Sequence, residues 1–113
     1  MNAAPQRRTA PVALITGGAR RIGAEIARVL HGAGIDVALH YRASVAAAHA
    51  LADELNRLRP ASATALAASI GDQEAAEGLV RATEEQFGRL DILVNNASTF
   101  FATPIGSIDA AAW

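Results

Sequence analysis

The sequence predicts an α/β fold with a parallel sheet, and three observations support this prediction. Short apolar runs alternate along the chain with segments whose apolar residues recur at helical spacing. Glycine or proline follows most of these segments and marks their ends. The connections are short, as in βαβ units. With 113 residues, 51% hydrophobic and 19% charged, the chain is expected to form one small domain with a buried core.

The first strand and the first helix enclose a glycine turn. Residues 12–16 form an apolar run that ends at Gly17 and Gly18, which is typical of a buried parallel strand followed by a tight turn. A helix is expected over residues 21–33, where the apolar side chains have helical spacing. These apolar positions are Ile22, Ile26, Val29 and Leu30.

The alternation continues through a second strand and a second helix. Residues 35–40 form the next apolar run. A helix is expected over residues 44–58, with Ser44 as its N-cap and Pro60 just beyond its end.

The remaining elements complete four strands and three helices. A weaker third strand is expected over residues 63–68, where alanine and threonine predominate. A helix over residues 72–87 begins at Asp72, a suitable N-cap, and ends at Gly88. Residues 91–95 form the fourth strand.

This order of elements predicts the topology. Right-handed crossovers place helices on both faces of a parallel sheet. The expected strand order is 3-2-1-4, a Rossmann-type doubly wound parallel sheet truncated after the fourth strand. Residues 1–11 are expected to be a flexible N-terminus and residues 12–96 the βαβαβαβ unit. Residues 97–113 are expected to be a loop on the ligand side of the sheet and the start of another helix.

Composition argues against several classes of function. The chain lacks an apolar run long enough to cross a bilayer and its N-terminus lacks a signal-peptide pattern, so a cytoplasmic protein without a membrane partner is expected. There is no cysteine, and the three histidines are not at metal-ligand spacing, so no metal site is expected. The net charge of −1 argues against a nucleic-acid partner.

The glycine turn is a candidate anion site. It joins a first strand to a first helix, where unpaired N–H groups and the helix dipole favour a pyrophosphate. Gly17 lets the chain turn, and Gly23 lets the helix pack closely on the strand. The G-x-G-x-x-G pattern is absent, and a glycine turn that closes a βαβ unit without a ligand is the alternative.

The end of the second strand indicates which dinucleotide would bind. An acid at this place binds the ribose hydroxyls of NAD, whereas arginine accepts the extra phosphate of NADP. Residues 40–44 read His-Tyr-Arg-Ala-Ser and contain no carboxylate. Arg42 and Arg20 are expected to converge on a phosphate, so NADP(H) is the predicted cofactor. Alternatively, both arginines are solvated surface charges.

Two motifs resemble the short-chain dehydrogenase/reductase family. The family turn is Thr-Gly-x-x-x-Gly-x-Gly and its fourth strand ends in Asn-Asn-Ala-Gly, which residues 16–23 and 93–97 match at the right separation. Arg21 replaces the middle glycine of the first motif, and Ser98 replaces the last glycine of the second. Both replacements are similar to the pteridine reductase branch, as are residues 39–41 and the loop through Phe100.

The resemblance implies roles for particular residues. In that branch, Arg21 reaches the cofactor phosphates and the pterin, Ser98 contacts cofactor and substrate, and Phe100 stacks on the pterin ring. Phe100 as an ordinary apolar anchor of the loop is the alternative. Arg21, Ser98 and Phe100 are thus the predicted substrate-binding residues. The predicted NADP(H)-binding residues are Gly17, Arg20, Arg21, Ile22, Gly23, His40, Tyr41, Arg42, Ser44, Ser69, Asn96, Ala97 and Ser98.

Two departures from the family pattern affect cofactor recognition. The branch often has a second arginine where this chain has Ala43. The family commonly has an aspartate facing the adenine after the third strand, where this chain has Ser69, which offers only a neutral hydrogen bond.

Catalysis in this family, as the resemblance implies, needs a tyrosine and a lysine four residues later, because the cation stabilises the phenolate. Tyr41 is the only tyrosine and lysine is absent. We therefore expect the N-terminal part of an NADPH-dependent reductase, whose homo-oligomeric parent reduces a pterin or a related C=N or C=O substrate. The 113-residue chain alone is expected to be inactive and poorly folded. The alternatives are a non-catalytic nucleotide-binding module and a generic short-chain carbonyl reductase fragment.

Overall fold

The computed structural model describes residues 9–69 and 73–96, which form a parallel sheet with helices on both of its faces. The strand order is β3-β2-β1-β4, as predicted, and the four strands and three helices predicted within residues 12–96 are present, with bounds shifted by at most one residue at either end; the loop and helix start predicted for residues 97–113 lie outside the described residues. The elements are β1 (Val12–Thr16), α1 (Arg21–Gly32), β2 (Asp36–Tyr41), α2 (Val45–Leu58), β3 (Ala63–Ala67), α3 (Gln73–Phe87) and β4 (Ile92–Asn95).

The core has two halves because successive side chains of a strand point to opposite faces of the sheet. Ala13 and Ile15 of β1 belong to one half, which α1 and α2 cover. Val12 and Leu14 belong to the other half, where they pack with Leu79 and Phe87 of α3. β1 is fully buried, so the turn that follows it begins in the centre of the domain.

α1 packs through small residues. Its buried positions are Gly23, Ala24, Ala27 and His31. Ile26 and Leu30 are partly buried, whereas Ile22 and Val29 are 68% and 67% exposed. The periodicity therefore predicted the helix correctly, but only some of its large apolar side chains reach the core. Glycine and alanine line the buried face instead and let the helix axis approach the sheet closely.

The start of α2 differs in one detail from the prediction. Ser44 occupies the N-cap position, but its hydroxyl makes no capping hydrogen bond. Its carbonyl oxygen accepts the Ala48 N–H at 2.9 Å instead. Asp72, the cap expected for α3, lies outside the described residues.

Among the described helices, none is both long and apolar enough to span a membrane.

The amino end of the sheet is closed by a buried polar cluster. Nε2 of His31 lies 2.6 Å from the Ser62 hydroxyl, which itself donates to the Arg59 carbonyl oxygen. The Arg59 guanidinium donates to the His31 carbonyl oxygen (2.9 Å) and to the Asp36 carboxylate (3.1 Å). The Asn56 side chain accepts the Ser62 N–H at 2.8 Å. These bonds join α1, α2, β2 and the start of β3.

Candidate functional site

The glycine turn begins directly after β1 and is held by β2. Gly17 has φ = +64°, a left-handed conformation that glycine adopts without steric cost. Its N–H donates to Nδ1 of His40 (3.0 Å), and the Gly18 N–H donates to the His40 carbonyl oxygen (3.0 Å). The first two amides of the turn are therefore bonded within the protein. Helix geometry leaves the first amides of α1, which starts at Arg21, without partners inside the helix, and these are the amides that suit an anion.

Gly23 lets α1 lie against this turn. A Cβ atom at Gly23 would stand 2.1 Å from the Gly17 carbonyl oxygen and 2.7 Å from Nδ2 of Asn96. Gly23 therefore allows a close approach, but of α1 to the turn and not to the strand as predicted. Its nearest neighbours are the turn and the residue after β4, not the middle of the strand.

Arg21 has a backbone conformation that suits glycine better. Its φ is +54°, in the left-handed region that costs a residue with a Cβ atom about 1–2 kcal/mol. In the family turn Thr-Gly-x-x-x-Gly-x-Gly, which residues 16–23 resemble, this position is the middle glycine. The chain keeps the turn conformation there and accepts the strain, while its exposed guanidinium lines the cleft described below.

Thr16 and Asn96 join the turn to β4. The Asn96 N–H donates to Oγ1 of Thr16 (2.9 Å), and Nδ2 of Asn96 donates to the Gly17 carbonyl oxygen (3.2 Å). Thr16 is fully buried. Sequence reasoning named Asn96 as a cofactor residue and gave Thr16 no role; the signal for Thr16 was a hydroxyl at the end of an otherwise aliphatic buried strand.

His40 is buried at the end of β2, with 2% of its surface exposed. Its Nδ1 accepts the Gly17 N–H, so Nε2 carries the proton and donates to the Ala68 carbonyl oxygen at 2.8 Å. Burial lowers the pKa of His40, and the bond to Ala68 partly opposes this effect. The ring is therefore neutral, and both of its nitrogens already have protein partners.

A cleft of about 420 Å³ lies between the start of α1 and the end of β2. It brings together most of the described residues that the sequence predicted for cofactor binding. Tyr41, at its edge, also makes an edge-on ring contact with His49 of α2, with ring centroids 5.9 Å apart. The predicted residues that line the cleft are Gly17, Arg20, Arg21, Ile22, His40, Tyr41, Arg42, Ser44 and Asn96, and the additional ones are Ala19 and Ala43.

The other predicted site residues lie elsewhere or outside the described part of the chain. Gly23 is buried beneath the turn and does not line the cleft. Ser69 is exposed, one residue after the Ala68 carbonyl that His40 binds. Ala97, Ser98 and Phe100 lie outside the described residues.

The charges around the cleft are all positive. Arg20, Arg21 and Arg42 are exposed, and within residues 9–69 and 73–96 none of them has an acidic partner. None of the carboxylates in this described part of the chain lines the cleft. Several arginines elsewhere in the described chain do pair with acids: Arg28 with Glu25 and Glu54, Arg59 with Asp36, and Arg89 with Asp91.

A profile of the short chain dehydrogenase family matches residues 11–113. The chain belongs to this family. The match includes the turn after β1, the end of β2 and the Asn95-Asn96 pair after β4, so the resemblance predicted from the sequence is confirmed. In this short-chain dehydrogenase the cleft lies at the carboxyl ends of β1 and β2, where open parallel sheets bind their ligands.

Individual relatives include reductases with different substrates in their names. Pteridine reductase 1 of Leishmania tarentolae is 42% identical over 90% of this chain and 41% of its own length. An oxidoreductase of Methylorubrum extorquens is 39% identical over 79% of the chain and 36% of its own length. The 3-oxoacyl-(acyl-carrier-protein) reductase FabG of Staphylococcus aureus is 36% identical over 75% of the chain and 34% of its own length. The chain thus spans about two fifths or less of these relatives.

Proposed function

We propose that this chain is the dinucleotide-binding part of an NADPH-dependent short-chain reductase. The observation that carries the proposal is a cleft beside the glycine turn that three arginines line and that no carboxylate of residues 9–69 and 73–96 enters. Guanidinium groups form charge-assisted, often bidentate hydrogen bonds with phosphate. A donor set without an acid suits the phosphorylated ribose of NADPH better than the free hydroxyls of NADH.

Each part of the cleft has a proposed partner on the cofactor. The amides at the start of α1 would bind the pyrophosphate, aided by the positive end of the helix dipole. Arg20 and Arg42, after β1 and β2, would bind the 2′-phosphate. Ser69 would offer the adenine amine a neutral hydrogen bond. When bound, the nicotinamide would supply the hydride for reduction.

Calorimetry of NADP⁺ and NAD⁺ binding to the 113-residue chain tests which dinucleotide is the cofactor. Circular dichroism checks that the chain is folded. We expect NADP⁺ to bind at least tenfold more tightly than NAD⁺. Arg42→Asp should lose that preference, because an acid repels the 2′-phosphate and accepts the ribose hydroxyls. Arg81→Asp is the matched control, since Arg81 is an exposed arginine on α3. Equal affinities of the parent chain for both dinucleotides would contradict NADPH selectivity.

The proposed substrate is a pterin or a related compound with a C=N or C=O bond. Its support is the 42% identity to Pteridine reductase 1, together with Arg21 in the cleft where the motif has glycine. A guanidinium can bind the polar edge of a planar heterocycle. FabG, named for an oxoacyl substrate, supports the generic carbonyl reductase as the alternative.

A chimera tests the substrate, with residues 1–113 followed by the remaining part of the Leishmania tarentolae Pteridine reductase 1. We expect it to oxidise NADPH with dihydrobiopterin, and Phe100→Ala to raise KM for the pterin about tenfold through loss of stacking. Phe101→Ala is the control and should leave KM within about twofold. Reduction of a 3-oxoacyl thioester but not of the pterin would favour the carbonyl reductase.

The second candidate is a nucleotide-binding module without catalysis. These 113 residues contain one tyrosine, Tyr41, and no lysine, and thus no Tyr–Lys pair for proton donation. If the chain alone oxidises NADPH with dihydrobiopterin above the rate without protein, and Arg21→Ala abolishes this activity, the module is excluded.

A further inference from the structure

His40 connects two loops that are not neighbours in the sheet. β2 lies between β1 and β3, and the His40 ring reaches from the turn after β1 to the carbonyl of Ala68 after β3. The bonds are 3.0 Å to the Gly17 N–H and 2.8 Å to the Ala68 carbonyl oxygen. One buried ring therefore bonds both the turn proposed for the pyrophosphate and the segment before Ser69, proposed for the adenine, and adds to the backbone bonds from the Gly18 N–H to the His40 carbonyl oxygen and from the Ala68 N–H to the Tyr41 carbonyl oxygen.

We infer that His40 is a positioning residue that holds both walls of the dinucleotide cleft through its neutral Nε2–H tautomer, and does not itself bind the cofactor. This inference rests on the proposed dinucleotide function. The left-handed Gly17 has its amide bonded to β2 in a partly buried position, where a backbone donor is normally paired. Nδ1 of His40 is that acceptor, and only an unprotonated Nδ1 can accept.

Protonation of His40 would break this arrangement. A proton on Nδ1 faces the Gly17 N–H, so two donors oppose each other and the turn must move. The Nε2–H bond to Ala68 survives protonation, so the damage falls on the pyrophosphate side of the cleft. Cofactor binding and a neutral His40 are therefore coupled, and each favours the other by the same factor.

The charges near His40 do not supply a group that would hold this proton. β1, β3 and β4 carry no titratable side chain. Burial is the main cause of the lowered pKa of His40, and no carboxylate among the described residues raises it. The titratable groups on the surrounding elements are Arg20, Arg21, Glu25, Arg28 and His31 on the turn and α1, Asp36, Tyr41 and Arg42 on β2 and just after it, His49, Asp53, Glu54 and Arg57 on α2, and Glu74, Glu77, Arg81, Glu84 and Glu85 on α3.

Two substitutions separate the two hydrogen bonds. The amide oxygen of Asn in His40→Asn can take the place of Nδ1 and accept the Gly17 N–H, whereas the amide of Gln in His40→Gln can donate to Ala68 without an acceptor for Gly17. At pH 7.5 we expect His40→Asn to bind NADP⁺ within about threefold of the parent and His40→Gln about tenfold more weakly. His31→Asn is the matched control, because it removes an equally buried histidine at the other end of the sheet and should lower Tm without changing the affinity.

The titration of His40 by NMR, with and without NADP⁺, tests the coupling in the parent chain. We expect an unprotonated Nδ1 at pH 7.5 and a lower His40 pKa when NADP⁺ is bound; a fall of about one unit means roughly tenfold weaker binding to the protonated form. A higher pKa in the complex would mean that the charged ring contacts a phosphate, and this would overturn the inference.

Failure of the proposed function gives a different result. If the folded parent chain binds no NADP⁺ at pH 7.5, the dinucleotide function is overturned. The NMR chemical shifts of the His40 ring nitrogens still test the positioning role, because a protonated Nδ1 in the free chain contradicts it. Equal NADP⁺ affinities of the folded His40→Asn and His40→Gln chains also contradict it.

Discussion

Both ends of the sheet contain a buried histidine, and the two rings have different partners. At the amino end, His31 meets the Ser62 hydroxyl, beside the Arg59 guanidinium that pairs with Asp36. At the carboxyl end, the His40 ring binds only backbone groups. At the amino end, Arg59 forms an ion pair with Asp36, whereas the arginines at the carboxyl end have no acidic partner in the described chain.

The difference supports the proposal that the carboxyl end binds a ligand, whereas the amino end serves stability. Polar groups that are paired inside the protein contribute to folding and have nothing left to offer a ligand. Cations gathered around a cleft without an acid repel one another and become favourable when an anion binds. Substitutions at the amino end should therefore change stability alone, and substitutions at the carboxyl end should change binding as well.

The largest effect is expected from Gly23→Ala at the carboxyl end. Its Cβ would stand 2.1 Å from the Gly17 carbonyl oxygen, so α1 and the turn must separate. We expect a loss of at least about 3 kcal/mol in the free energy of unfolding, and loss of NADP⁺ binding. Urea unfolding and calorimetry measure these two effects.

Gly32→Ala in the same helix is the control for this change. A Cβ there meets nothing within 4 Å. The free energy of unfolding should change by no more than about 1 kcal/mol, and in the stabilising direction, because alanine favours the helix. Similar losses for the two variants would show that the close approach at Gly23 does not constrain the turn.

A smaller effect is expected from Arg59→Met at the amino end. The substitution removes one partner of Asp36, whose side chain is 4% exposed, and one of the two donors to the His31 carbonyl oxygen, which also accepts the Gly34 N–H. Because Arg59 itself is partly exposed, we expect a loss of about 2 kcal/mol. The NADP⁺ affinity of the folded chain should stay unchanged. Arg57→Met, an exposed neighbour on α2, should alter neither quantity, and a changed affinity in Arg59→Met would show that the two ends are coupled.

The pH dependence of stability should involve both histidines. Burial lowers the pKa of His31, aided by Arg59 and opposed by Asp36, and burial also lowers the pKa of His40. The unfolded chain, with histidines near 6.5, therefore binds more protons than the folded chain as the pH falls. This contribution to stability is complete well above pH 6.5 and declines as the pH drops through 6.5 toward the lower folded-state values.

Thermal unfolding between pH 5 and 8 measures this decline. His31→Asn and His40→Asn should each flatten the curve below pH 6.5 by removing one titrating group. A curve of the parent chain that stays level between pH 6.5 and 5, or two variants that decline as steeply as the parent, would show that the histidines titrate alike in both states.

The smallest effect is expected from Arg21→Gly. Glycine accepts the φ of +54° without strain but loses more backbone entropy on folding, so a net gain of about 0.5–1 kcal/mol is expected. In the chimera the same change should weaken pterin binding, because the proposed guanidinium contact is lost. A gain in Tm with unchanged KM would remove Arg21 from the substrate site.

The sequence by itself determined the elements and their order. Apolar runs, helical spacing and breakers such as Gly17 and Pro60 are local signals, so the predicted bounds of the four strands and three helices lie within one residue of the observed ones. The order β3-β2-β1-β4 follows from right-handed crossovers, a general property of parallel sheets. The turn with Gly17 and Gly23 was predictable because backbone sterics demand glycine at such positions.

Only the tertiary structure decided which side chains face the cleft and which support it. His40, 23 residues from Gly17 and 28 from Ala68, reads in the sequence as a cofactor contact and becomes a buried bridge. Asn96, about 80 residues from Thr16, braces the turn as well as lining the cleft. Ile22 has core-like periodicity and is exposed, because the small residues beside it bring α1 closer to the sheet. These outcomes depend on distances between segments far apart in the chain, and no local pattern of residues encodes such distances.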